Sequence, residues 1–188
     1  MTEPIAKVER LSREKFLAHA LEVLSKEGEA KLRLDRLVDA LGVTKGSFYW
    51  HFDNRADFVH SLAEFWERMS NDRVFQEIGD IGADPKVVLR RVQEIVTRED
   101  LSRYDLVMRS WATHEPEVAR RVESVASRRN EYVGHQFRRL GFRGADLEIR
   151  TRAFVVTTSM WSIYNRNESS KLRTRQLAAL LEMLTDSG

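Results

Sequence analysis

Apolar residues recur along this chain at intervals of three and four positions, with polar and charged residues between them. This spacing places the apolar side chains on one face of an α-helix, so it predicts a series of amphipathic helices. Most of the 9 glycines and 3 prolines stand at the boundaries between these segments, where helices begin and end. The pattern therefore predicts an all-α fold of about nine helices.

Short polar residues precede several of these segments and predict where the helices begin, because their side chains accept hydrogen bonds from the first free amides. Pro116 is expected to begin a long helix that ends before Gly141. Thr44 is expected to begin a very short one that ends near Trp50. The expected caps, in chain order, are Ser12, Thr44, Asn54, Asp84 and Ser170.

The length of 188 residues suits one compact domain or two small ones that share a core. The absence of cysteine excludes a disulfide framework and thiolate chemistry. No apolar run approaches the roughly 20 residues of a membrane span, and the charged N-terminal stretch does not resemble a signal peptide. These features predict a cytoplasmic protein without a membrane partner.

The overall charge gives little guidance about partners. The formal net charge is +2 and the sequence pI is about 9.0, yet residues 1–70 carry 11 Lys and Arg against 12 Asp and Glu. Any contact of residues 1–70 with nucleic acid must therefore depend on the placement of particular residues rather than on net charge.

The stretch GVTKGSFYWHF, residues 42–52, has the composition of a surface that approaches a polyanion closely. A helix ending at Gly42, a tight turn and a second short helix form a helix-turn-helix, whose second helix enters the major groove of DNA. Lys45 and Ser47 are placed to reach bases or backbone at the start of this helix, and Gly46 lets the helix lie deep. Tyr49, His51 and Arg55 offer polar groups to phosphates.

An alternative interpretation of this stretch stays open at this level. Helix-turn-helix geometry also occurs in helical proteins that never bind DNA, and runs of aromatic residues more often form a core than a contact surface. Phe48 and Phe52 are expected to lie in the core in either case.

Residues 12–62, above all RLVDALGVTKGSFYWHFDNRADFVHSL, resemble the DNA-binding head of the TetR family of transcriptional regulators. The resemblance implies a helix-turn-helix DNA-binding domain over residues 8–58 and a helical ligand-binding and dimerisation domain over residues 59–188. Arg33 departs from the family pattern, which usually has a Ser or Thr cap there, but its side chain could itself reach a phosphate. The DNA-contacting residues that the resemblance and the pattern together predict are Arg33, Thr44, Lys45, Gly46, Ser47, Tyr49, Trp50, His51 and Arg55.

The resemblance also implies that the last two helices pair across a two-fold axis, so that a homodimer binds a double-stranded DNA operator with an inverted repeat. The sequence is compatible with this, although such stripes usually form the core of a single chain. The stripes comprise Ile149, Ala153, Val156, Met160 and Trp161 on one helix and Leu177, Leu180, Leu181 and Leu184 on the other.

A small-molecule effector is the other partner that the resemblance implies. Large aromatic residues with a few polar tips suit such a site. The candidates are Tyr104, Met108, Trp111 and Trp161, with His114 and Asn165 as additions. Ordinary core packing explains each of them equally well. The pairs Arg128–Arg129 and Arg138–Arg139 are interpreted as solvated charge on a long helix.

Catalysis finds no support in the sequence. The 5 histidines are scattered, and no phosphate loop, dinucleotide fingerprint or zinc-protease motif is present, so no cofactor or metal is expected. The favoured function is a dimeric repressor that a small molecule releases from its operator. The alternatives are a ligand-independent or activating DNA-binding regulator, and a helical binding module whose head no longer recognises DNA.

Overall fold

The computed structural model describes residues 12–79, 84–164 and 168–186, which form helices joined by turns, with no β-strand among them. The all-α prediction is thereby confirmed. The helices are α1 (Arg13–Glu27), α2 (Leu34–Ala40), α3 (Lys45–His51), α4 (Arg55–Glu67), α5 (Arg73–Ile78), α6 (Pro85–Arg98), α7 (Ser102–Trp111), α8 (Pro116–Arg139), α9 (Gly144–Tyr164) and α10 (Ser170–Thr185), with a short 3₁₀ turn at Glu29–Leu32.

A π-helical segment, Arg68–Asp72, joins α4 to α5 without a break. Glu67 and Arg73, on either side of it, both have right-handed helical backbone angles. The ten α-segments therefore make nine continuous helical rods in the described residues. The π-helical segment was not predicted, because a single wider turn leaves the spacing of apolar residues on both sides almost unchanged.

The predicted caps are largely in place. Ser12 accepts a hydrogen bond from the Lys15 amide at 3.2 Å, and Asp84 accepts one from the Lys86 amide at 2.9 Å. The last helix is the exception: Ser169, rather than Ser170, is its cap and accepts from the Leu172 amide at 3.3 Å. Of these adjacent serines, only the first has the extended backbone that a capping side chain requires.

The chain divides into two compact units between Phe65 and Trp66, near the end of α4. In the first unit, called the head below, α2 packs against α1 and α3. Its core is a cluster of four phenylalanine rings. Phe52 lies at the centre of this cluster, with ring centroids 5.4 Å from Phe16, 5.1 Å from Phe48 and 5.2 Å from Phe58.

The second unit, called the body below, is a bundle in which α8 and α9 pack against each other and against α6 and α7, while α10 packs on α6 and α9. Most of its buried residues are aliphatic or aromatic. It also contains a buried ion pair, in which Arg129 donates to both carboxylate oxygens of Asp105, at 2.5 and 3.2 Å.

The interpretation of Arg129 as solvated charge was wrong. Its side chain is 13% exposed and that of Asp105 only 2%, and its guanidinium also donates to Asn71 and Ser159 at 3.1 Å each. The neighbouring Arg128 is more exposed and pairs with Asp72. Adjacent arginines lie about 100° apart around a helix, so one of them can face the core while the other does not.

Candidate nucleic-acid interface

The turn between α2 and α3 is closed by backbone hydrogen bonds. The Val43 amide donates to the Val38 carbonyl oxygen at 2.9 Å, and the Gly42 amide to that of Asp39 at 3.1 Å. Gly42 has a φ of +62°, in the left-handed region that favours glycine. Thr44 then caps α3, as predicted, by accepting from the Ser47 amide at 3.2 Å. The sequence thus folds locally into a helix-turn-helix.

Two phenylalanines attach α3 to the head. Phe48 within the helix and Phe52 at its C-terminal end are both buried in the aromatic cluster. Because these rings point inward, the other sides of this short helix face outward. The prediction that Phe48 and Phe52 belong to the core is confirmed.

The predicted DNA-contacting residues all lie in the head, and none of them is buried. Trp50 is 73% exposed and Tyr49 58%, an unusual degree of exposure for large aromatic side chains. Arg33 stands at the N-cap position of α2 and makes no capping hydrogen bond with its side chain. The arrangement offers cations, hydroxyls and flat rings on one short helix and its flanks. Their contacts with DNA stay predictions.

Gly46 lies on the exposed part of α3. A Cβ atom added there would meet only the hydroxyl oxygen of Thr44, at 3.6 Å, an ordinary van der Waals contact. The head itself therefore has room for a side chain at this position. Glycine costs roughly 1 kcal/mol of helix propensity relative to alanine, so its presence here is not explained by packing within the protein.

Arg13 holds the C-terminal end of α3 in place, a role that the sequence did not reveal. Its guanidinium donates to the Ser61 hydroxyl at 2.7 Å and to the backbone carbonyl oxygen of His51 at 3.3 Å. It also lies 5.3 Å from the centre of the Phe52 ring. These contacts connect the first residue of α1 with the end of α3 and with α4. No local motif marks such a residue, because its partners lie far away in the sequence.

Lys45 forms an ion pair with Asp35 of α2, with 2.5 Å between Nζ and Oδ1. The hydrogen bond from Lys45 lowers the pKa of Asp35, and the same bond raises the pKa of Lys45. Both side chains are more than half exposed. The Asp35 carboxylate therefore already binds the lysine that is predicted to contact DNA. No local sequence signal marks this pair, because it depends on how α2 and α3 cross.

A reciprocal pair of hydrogen bonds fixes the start of α4, where Arg55 lies. Asn54 caps the helix, as predicted, by accepting from the Asp57 amide at 3.0 Å. Asp57 in turn accepts from the Asp53 amide at 3.0 Å. The connection from α3 to α4 is consequently well defined, and it fixes the backbone position of Arg55 next to α3.

The four predicted effector residues lie in the body. Tyr104, Met108 and Trp111 are buried on α7, whereas Trp161 on α9 is half-buried and donates to Glu168 at 3.3 Å. Asn165 lies outside the described residues. None of the four lines either of two cavities described below, and their contact with an effector stays a prediction.

One of these cavities is a small space of about 30 Å³ between α5, α6, α8 and α9. Its apolar walls include Phe75, Tyr132 and Phe154, and Arg129 also faces it. The second is a groove of about 500 Å³ between α6 and α10. Among the residues that the structure describes, no three His, Asp or Glu side chains come together as a metal site. No described helix has the length and apolar character needed to cross a membrane.

The head matches known regulators in sequence. Residues 16–62 match the family model of bacterial regulatory proteins, tetR family. The HTH-type transcriptional regulator AcrR of Shigella flexneri is 30% identical over 81 residues, which make up 43% of this chain and 38% of AcrR. The match thus spans less than half the length of this curated relative.

Solved structures match over nearly the whole chain. A transcriptional regulator from Saccharomonospora viridis, solved in complex with choline, is 18% identical with a TM-score of 0.75, covering 90% of this chain and 95% of that one. FadR from Bacillus subtilis, solved in complex with stearoyl-CoA, is 16% identical with a TM-score of 0.66, covering 92% and 97%. At these identities the likeness shows the fold alone.

All three proteins are named as transcriptional regulators rather than enzymes, in agreement with the expectation from the sequence. Helix α3, with its Thr44 cap and the buried Phe48 and Phe52, lies within the segment that the family model matches. Residues 16–62 of the head are therefore similar to the bacterial regulatory proteins of the TetR family, while the likeness of the rest of the chain to the solved structures is one of fold.

Proposed function

We propose that this chain acts as a homodimeric transcriptional repressor, which binds an inverted-repeat operator in the cytoplasm and leaves it when a small effector binds. The observation that carries the proposal is the division of α3 into two sides. Phe48 fixes the inner side to the core, while Gly46, Tyr49 and Trp50 remain exposed on the outer side. A short helix with this division is suited to lie in the major groove.

The exposed residues divide into two roles in this proposal. Thr44, Tyr49, His51 and Arg55 are assigned to phosphates, which position the protein but carry no sequence information. Arg33 joins them from the start of α2. The residues assigned to base edges, which determine the preferred sequence, are Lys45, Gly46, Ser47 and Trp50.

Exposed apolar residues on the last two helices support the homodimer. Ile149 and Val156 of α9 are more than half exposed and lie two turns apart on one face. Leu172 and Met183 of α10 are also exposed and share a face of that helix. Exposed apolar residues that share a helix face are typical of an interaction site, and two copies of α9 and α10 would bury them in a four-helix bundle.

The apolar stripe on α10 that the sequence indicated for pairing between two chains lies in the core of a single chain. Leu177, Leu181 and Leu184 are buried within the chain itself. They lie on the opposite side of the helix from Leu172 and Met183. The proposed interface on α10 is therefore not the face with the most leucines, which is used in the core of the body.

Regulators with this fold were solved with ligands of opposite charge. Choline is a cation and stearoyl-CoA is a large anion, yet regulators of this fold were solved with each. The fold therefore does not select the chemical class of the effector. Tyr104, Met108, Trp111 and Trp161 remain our candidates for its contacts. An effector releases DNA only by binding the DNA-incompetent arrangement more tightly than the competent one.

Selection of bound duplexes from a random DNA pool tests this function, combined with sedimentation of the free protein. We expect an enriched inverted repeat and a dimer at micromolar concentration. A monomer that enriches a non-symmetric site would contradict the dimer, and failure to enrich any sequence would favour a binding module without DNA recognition.

An effector-independent or activating regulator is the second candidate function. It binds the same operator, but no small molecule changes its affinity. Screening compounds against the complex with the selected operator, followed by transcription from a promoter that carries it, separates this candidate from the repressor.

A further inference from the structure

The groove between α6 and α10 is lined by more positive than negative side chains. Its volume of about 500 Å³ lies in the range of small-molecule sites. Four arginines, Arg90, Arg91, Arg98 and Arg173, line it, together with one carboxylate, that of Glu94. Positive side chains therefore predominate on its walls. The DNA-binding surface lies in the other unit, so this groove needs a separate explanation.

Three of the four arginines already have carboxylate partners. Arg90 pairs with Glu182 at 3.3 Å, and Arg91 and Arg98 both pair with Glu77, at 3.0 and 2.8 Å. Neither Glu77 nor Glu182 is among the residues that line the groove. Arg91 also pairs with Glu94, which does line the groove, at 3.1 Å. The charges of these three arginines are thus matched by carboxylates.

Arg173 differs from the other three. It forms no ion pair with any described residue, and its Nε atom is buried without a hydrogen-bond acceptor. A buried donor without an acceptor is unfavourable, and such groups in native proteins commonly mark a missing partner. Arg173 lies in the first turns of α10, after the Ser169 cap. The positive end of the helix dipole at the start of α10 favours an anion.

The rest of the groove can hold an uncharged body next to that anion. Leu177 and Ala178 form an apolar part of the wall. Gln93 is fixed there, because its buried side-chain amide donates to the Leu177 carbonyl oxygen at 3.2 Å. A guanidinium binds the planar or tetrahedral oxygens of a carboxylate or a phosphate with parallel hydrogen bonds.

We propose that this groove is a binding site for a small amphipathic oxyanion, whose carboxylate or phosphate group binds Arg173 and whose apolar body lies along Leu177 and Ala178. The site is independent of the DNA-binding surface. Its occupancy is therefore measurable in the absence of DNA, and its failure would leave the proposed function untouched.

Calorimetric titration of the full chain with matched probes tests the proposal. Hexanoate and hexyl phosphate carry the two head groups on the same apolar tail, and 1-hexanol is the uncharged control. We expect saturable binding of at least one anion and none of 1-hexanol. The anion that binds identifies the head group. Equal binding of 1-hexanol, or no binding of either anion, would overturn the proposal.

Two charge-matched variants localise the site. Arg173→Gln should weaken binding of the anion about tenfold or more, as expected for a lost charge-assisted hydrogen bond. Arg175→Gln removes the same charge from an exposed position on α10 that does not line the groove, and should leave binding unchanged. Equal weakening by both variants would show a general effect of charge and contradict the site.

A third variant keeps the test decisive if Arg173→Gln does not fold. Arg173→Lys retains the charge but loses the planar fork, so it should fold and bind the anion more weakly than the parent chain. Unchanged affinity in Arg173→Lys would contradict the guanidinium contact.

Discussion

The head and the body of this protein are both helical, but they build their interiors differently. The head packs phenylalanine rings against one another and leaves its small polar residues on the surface of α3. The body also buries polar and charged groups, above all the ion pair of Asp105 with Arg129. The comparison shows why residue spacing indicated more about the head than about the body.

The first way to test this difference is to remove a ring from the head. Phe52→Ala should lower the free energy of unfolding by about 3–5 kcal/mol, because it deletes a fully buried aromatic side chain at the centre of the cluster. Urea unfolding followed by circular dichroism measures the change. Trp50→Ala is the matched control, since its exposed ring should contribute less than about 0.5 kcal/mol. Equal losses would show that the cluster is not the core of the head.

The corresponding test in the body removes a buried charge. Asp105→Ala should also cost about 3–5 kcal/mol, because it leaves the Arg129 guanidinium buried without its carboxylate. The double variant Asp105→Leu with Arg129→Met should recover most of that loss, since it removes both charges. If the double variant is as unstable as the single one, the pair does not act as a unit.

These contrasts explain which features the sequence could predict. The caps at Ser12, Thr44 and Asn54 each act on the amide three residues away, so local sequence defines them. The contacts of Arg13 with Ser61 and of Arg129 with Asp105 join residues far apart in sequence. Periodicity identifies an apolar face but not the helix it meets.

The same limit applies to the candidate sites. The residues on and beside α3 could be named from the sequence because the helix-turn-helix is a local motif with fixed spacing. The pairing of Lys45 with Asp35, by contrast, depends on the crossing of two helices. In the body, the sequence could not show which face of α10 is buried. Leu177, Leu181 and Leu184 follow helical spacing on one side, and Leu172 and Met183 do so on the other.

A smaller effect should separate the residues of the head that we assign to phosphates from its other exposed residues. Arg55→Ala should weaken binding to all DNA sequences similarly. It should also reduce the slope of log affinity against log salt by roughly 1 per lost contact, or about 2 for a dimer. Tyr49→Phe should weaken binding with little change of slope, because the lost hydroxyl is neutral. Fluorescence anisotropy across a salt series measures both, and a sequence-dependent loss in Arg55→Ala would contradict its assignment to phosphate.

The smallest expected effect concerns the ion pair between Lys45 of α3 and Asp35 of α2. Asp35→Asn should release Lys45 and raise DNA affinity a few-fold at low salt. In the parent chain, Lys45 must leave the Asp35 carboxylate before it binds DNA, whereas in the variant it need not. Asp39→Asn is the control, because it removes the same charge from α2 without breaking the Lys45 contact. Binding at low salt checks the difference between the two variants. Equal gains would mean that general repulsion from DNA, rather than the pair, restrains Lys45.

The central claim, that the outer side of α3 meets DNA, is tested most directly by adding a methyl group at Gly46. In Gly46→Ala, the free energy of unfolding should stay the same or rise by up to about 1 kcal/mol, because alanine favours the helix and the head has room for it. Affinity for the selected operator should nevertheless fall at least about tenfold, which corresponds to 1.4 kcal/mol, and Gly46→Val should abolish binding. A folded, dimeric Gly46→Ala with unchanged operator affinity would contradict the assignment of α3 to the groove.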